Sequence, residues 1–239
     1  MRFCFLLTAL AIAGSGQAAD TTDTPQMVHV QGTKPGAPMA WRYGLLQTAQ
    51  ATFEEYAATR APGASLTFRL PNVDPEGGGN QVALVVADKQ TPLPMVAAAT
   101  FALGTAAGGR GAMVVADRDF AKGSYRHPNV QVRSPGLPEG VRRMGDLRLA
   151  CAAQVAMAKA ESLKFRALLA SASLFGDLCA EMEVANIGAP AGPYDTMTIE
   201  DGERVLAQAR SQGPLPRLGE QAWSDNARIS FTLNGQIVR

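Results

Sequence analysis

From residue 41 the apolar positions recur at three- and four-residue steps: Trp41, Leu45, Leu46, Ala49, Phe53, Tyr56 and Ala57. That period gathers them on one face and predicts an amphipathic helix over 41–58, stopped by Pro62-Gly63. The period then falls to two. Leu66, Phe68 and Leu70 alternate with Thr67 and Arg69, the pattern of a half-buried strand. Residues 72–80, with Pro75 and three consecutive Gly, read as a loop. Residues 82–87 and 112–116 are short continuous apolar runs, which predict strands covered on both faces. Between them, residues 95–103 read equally as strand or short helix, because three Ala favour helix while Val96, Thr100 and Phe101 favour strand. Val130 and Val132, alternating with Gln131 and Arg133, mark a further half-buried strand.

The helical period returns at Asp146 and predicts a helical pair over 146–176. Leu147, Cys151, Val155 and Ala158 form one stripe, broadened by Leu149, Ala153, Met157 and Ala160; a second stripe runs from Leu163 to Phe175 and ends at Gly176. After the breaker cluster 189–193, strands are expected over 194–239. Asp201-Gly202 and Asn234-Gly235 supply two-residue hairpin turns, and residues 203–211 read as either strand or short helix. Four or five strands between 64 and 134 with turn-rich links favour an α+β fold. It is expected to be mainly an antiparallel sheet or small sandwich, with an N-terminal helix and a disulfide-linked helical pair, forming a single domain over 40–239.

The N-terminus carries a pattern of another kind. Arg2 precedes the apolar stretch 3–13, broken only by Thr8, and small residues follow to Ala19. This is the layout of a signal peptide over 1–19, since crossing a bilayer takes about 20 apolar residues. Cys4 lies before the apolar stretch, away from the position of a lipoprotein cysteine, so the cleaved protein is expected to have no membrane anchor. Residues 20–39, polar and containing Pro25, Pro35 and Pro38, read as a flexible leader. Export, with a periplasmic or secreted location, changes the reading of the cysteines. Cys151 and Cys179 remain after cleavage, and in an oxidising compartment they are expected to pair. On the chain-entropy account that bond stabilises by roughly 3–4 kcal/mol.

Charge narrows the function. The 239 residues hold 22 Lys+Arg and 21 Asp+Glu, and this near balance gives no long-range attraction to nucleic acid. No cofactor or metal is implied. The glycine-rich segments 77–79 and 108–111 match neither phosphate-binding pattern, G-x-S-x-G and H-E-x-x-H are absent from the residues after 19, and two Cys with His29 and His127 do not have zinc-site spacing. Two candidate sites remain. The segment 117–127 is dense in polar groups, with Asp117, Asp119 and His127 as candidate catalytic residues; loops on a scaffold often carry function, and an unperturbed histidine titrates near neutrality. Arg69, Arg133 and Arg228 each lie on the polar side of a strand, with Arg142 and Arg143 just ahead of the first helix of the pair. Adjacent strands would align those guanidinium groups into a strip suited to carboxylate or phosphate. The sequence therefore points to a non-catalytic binding or scaffold module for an envelope protein or an anionic envelope polymer. The alternative is a hydrolase acting on wall or sugar substrates through the Asp117–His127 loop.

Overall fold

The computed structural model describes residues 38–73, 79–105, 107–120, 127–161, 167, 177–190 and 192–238, all within one compact unit. The expected signal peptide and most of the leader lie outside these residues, as do nearly all of the second helix of the pair, most of Gly77–Gly79 and the middle of the 117–127 segment. The chain runs β1 (Pro38–Arg42), α1 (Tyr43–Arg60), β2 (Ser65–Arg69), β3 (Val82–Val86), β4 (Lys89–Pro92), β5 (Met95–Ala97), β6 (Thr100–Phe101), β7 (Met113–Asp119), β8 (Asn129–Arg133) and β9 (Val141–Arg143). It continues through α2 (Met144–Glu161), α3 (Leu178–Glu181), α4 (Val184–Gly188), β10 (Thr196–Asp201), β11 (Arg204–Ala209), β12 (Arg228–Leu233) and β13 (Gln236–Ile237).

Among the described residues every strand pairing is antiparallel, but the strands divide into three sheets where one sheet or a sandwich was expected. The first is ordered β1-β7-β3-β4 and the second β5-β6-β2-β8; in the third, β11-β10-β12, both β9 and β13 pair along the far edge of β12. Helix α2 explains the division, because it is apolar around most of its circumference. Leu149, Ala150, Ala153 and Met157 enter a core shared with α1 and the first two sheets. Met144, Leu147 and Cys151 enter a second core with Val184, Met197, Ile199, Trp223, Ile229 and Phe231. A helix with two apolar faces must bury both, and here separate sheets cover them.

Two local expectations shift at the start of the chain. Trp41 is the penultimate residue of β1, opposite Val114 of β7, and its buried ring stacks on Phe101 and meets Phe120 edge-on. Its spacing to Leu45 and Leu46 mimics a helical step only because α1 starts two residues later. β1 also takes in Pro38 and Met39, which the sequence assigned to the leader. The buried stripe of α1 is Tyr43, Leu45, Leu46, Ala49 and Phe53, while Tyr56 is exposed.

Elsewhere the ambiguous segments resolve into strand. Residues 95–101 form the β5–β6 hairpin, and 204–209 form β11. The β10–β11 turn is Gly202-Glu203, one residue later than expected, with Gly202 at φ 63° supplying the left-handed first position. Asn234-Gly235 turns as expected, both residues at positive φ. Cys151 and Cys179 are disulfide-bonded with Cα atoms 5.9 Å apart. Cys179 lies inside the single turn of α3, where the Asp177 side chain accepts from its backbone N–H; the expected second helix before it falls outside the described residues. The ends of α1 and α2 meet closely enough that a Cβ on Gly145 would lie 2.1 Å from the Arg60 carbonyl oxygen.

Candidate binding cleft

β2 and β8 lie side by side, with Ser65 opposite Arg133, Thr67 opposite Gln131 and Arg69 opposite Asn129. Because strand side chains alternate, Leu66, Phe68, Val130 and Val132 enter the first core while Arg69, Asn129, Gln131 and Arg133 stand on the other face. That face borders a cleft of about 1030 Å3. Its other borders are the loop at Glu139 and Gly140, Arg142 of β9, Leu147, Ala150 and Gln154 of α2, and residues 186–190. Gln154 fixes the strand to the helix: its Oε1 accepts from the Val130 N–H at 2.7 Å.

Three half-buried guanidinium groups, Arg69, Arg133 and Arg142, border this space against one carboxylate, Glu139. Arg133 is held by donating to the carbonyls of Leu137 and Pro138, at 3.3 and 3.0 Å. Among the described residues none of the three forms an ion pair with a carboxylate. Burial, and then the positive charge of Arg133, push the Arg142 guanidinium below its ordinary value; Asp146 opposes them and Arg69 adds a further depression. A guanidinium nevertheless stays protonated at physiological pH, so the cleft holds concentrated positive charge whose mutual repulsion an anion would relieve.

The network under Arg142 explains its placement. Asp146, fully buried in the first turn of α2, accepts from the Ser134 backbone N–H at 2.9 Å and from the Ser134 hydroxyl at 2.7 Å. Arg143 donates to the same hydroxyl at 3.0 Å and to Asn226 Oδ1. Since neighbouring strand residues face opposite ways, Arg143 in this network leaves Arg142 on the cleft side.

Of the arginines singled out in the sequence, the structure therefore brings together Arg69 and Arg133. Arg228 lies on β12 in the third sheet, exposed and opposite Arg143, and does not border the cleft. Arg142 takes the third place. Its signal in the sequence was only adjacency to the helix start, because a three-residue strand is too short to display a period. Asp117, Asp119 and His127 do not border the cleft either. The Asp117 carboxylate accepts from the Gln81 N–H at 3.0 Å, Asp119 ends β7, and His127 Nε2 lies 2.9 Å from Glu161 Oε2 at the end of α2. Among the described residues no three His, Cys, Asp or Glu side chains converge as a metal site, and no helix is long and apolar enough to cross a membrane.

Chemically, the cleft combines fixed cations with carboxamides from Asn72, Asn129, Gln131 and Asn186. Among the described residues that border it there is no aromatic ring to stack on a sugar, and Glu139 is the one carboxylate. Such a set can orient and neutralise carboxylate or phosphate oxygens, with bidentate bonds from the planar guanidinium. Comparison with protein-family models, with curated proteins and with solved structures finds no match to this chain.

Proposed function

We propose that the protein is exported to the periplasm or beyond, loses residues 1–19, and acts there as a non-catalytic binding module for an anionic polymer of the cell envelope. The observation that carries this reading is the cleft itself, where Arg69, Arg133 and Arg142 share one recess without a carboxylate partner among the described residues. The Cys151–Cys179 bond supports an oxidising compartment. Nucleic acid is disfavoured by the net charge of +1. A protein partner paired to a sheet edge is the second reading, favoured by Val205, 61% exposed on the edge strand β11. Hydrolysis through Asp117, Asp119 and His127 has less support, because none of the three borders the cleft and the Asp117 carboxylate is engaged by the Gln81 N–H.

The test is retention on immobilised polygalacturonate at low ionic strength. Arg69→Ala with Arg142→Ala should weaken retention at least about tenfold, since a hydrogen bond to a charged group contributes about 1.5–3 kcal/mol. Arg228→Ala should leave it unchanged. Loss in the Arg228 variant equal to that in the cleft variant would mean that diffuse surface charge, and not the cleft, holds the polymer.

A further inference from the structure

A second recess, of about 600 Å3, lies against the same stretch of chain as the cleft: Asn186, Ala189 and Pro190 border both. The second recess also contains Tyr194 and Arg210. The Tyr194 ring packs edge-on against the buried Phe231, centroids 4.9 Å apart, so it is anchored in the second core. The Arg210 guanidinium lies over the Tyr194 ring, 5.0 Å from its centroid. Stacking covers one face of that cation and leaves its N–H edges for acceptors lying in the guanidinium plane. Arg210 forms no ion pair among the described residues, and the acid bordering the same recess is Glu183.

We infer that the two recesses are subsites of one surface for a polycarboxylate chain. One carboxylate is seated at Arg69, Arg133 and Arg142, and a later one along the chain, past the segment 186–190, at Arg210. This rests on the anion-binding reading of the cleft and gives it a ligand class. A single small anion occupies one recess and gains nothing from the other. A chain with regularly spaced acidic groups occupies both, and once its first group is bound the second contact forms within the complex, at high effective concentration. Asn186, on the shared border, offers an amide donor and acceptor to the linking unit between the two charges. Glu183 sets the preference among polyanions. Its carboxylate offsets part of the Arg210 charge, and a more densely charged chain costs more to desolvate, so carboxylates spaced one per sugar are favoured over the denser charge of polyphosphate.

The experiment titrates the full mature protein with galacturonate monomer, with oligogalacturonates of two to eight units, and with short-chain polyphosphate, at low salt. Monomer should bind weakly. Affinity should rise at least about tenfold over a narrow range of chain length and then level off, and polyphosphate of similar length should bind less tightly. Arg210→Ala should remove the length-dependent gain, whereas Arg69→Ala with Arg142→Ala should weaken the binding of monomer and oligomer alike. Monomer binding without a length-dependent gain, or a gain that persists in Arg210→Ala, overturns the two-subsite surface while leaving the cleft reading standing. Tighter binding of polyphosphate overturns the carboxylate preference. Folded protein that binds none of these probes overturns the cleft reading itself.

Discussion

Arg142 and Arg143 are adjacent, yet one borders the cleft and the other completes a hydrogen-bonded network beneath it. The strand alternation of β9 makes that difference, and a sequence of two arginines cannot show which of them faces which way until the strand and its partner are known. Asp146 is the anchor of the network. Its carboxylate is fully buried and satisfies both the N–H and the hydroxyl of Ser134, the residue that follows β8. Removing it strands those donors, so Asp146→Ala should destabilise by about 2–4 kcal/mol, seen as a lower midpoint in denaturant unfolding, with weaker anion binding because β8 and β9 lose their common tie. A variant within about 0.5 kcal/mol of wild type would show that the network contributes nothing beyond its geometry.

At the level of elements, the sequence pattern succeeds where one face of an element is buried and the other wet. β2, β8, β10 and β12 all show that contrast, with the burial alternation their side chains imply. It misses β4, whose four residues are all exposed and so carry no hydrophobic signal, and β9, which is too short. It extends α1 over Trp41 because a strand that runs straight into a helix leaves no punctuation between them. The cysteines were legible from their number and expected compartment, but the element holding Cys179 was not, since α3 is a single turn closed by the Asp177 cap. The bond ties α2 to that turn on the side of the second core. Replacing both cysteines with Ala should lower unfolding free energy by about 3–4 kcal/mol on the chain-entropy account, measured by guanidinium denaturation of the folded variant. Equal stability would mean that the linked segment is already constrained in the unfolded chain.

At the scale of the whole molecule, α2 belongs to both cores, so neither can lose its packing without exposing the helix that the other needs. The two tryptophans report on this separately, because Trp41 lies in the first core and Trp223 in the second. Single-tryptophan variants, Trp41→Phe and Trp223→Phe, should each give one fluorescence unfolding transition that coincides with the loss of helical circular dichroism in the same variant, as cooperative unfolding requires. Fluorescence that changes before or after the helix melts in either variant would show that its two sides unfold independently. What the sequence determined by itself was local: which residues alternate, which recur at the helical step, which turns need Asn-Gly, and that two cysteines were available to pair. These follow from forces acting within a few residues. The tertiary structure alone decided that the strands split into three sheets around α2, that Arg69 and Arg133 share a recess with Arg142, and that Arg228 stands elsewhere. Strand adjacency and register arise from burying faces far apart in the chain, and the periodicity of each segment is the same whichever neighbour it meets.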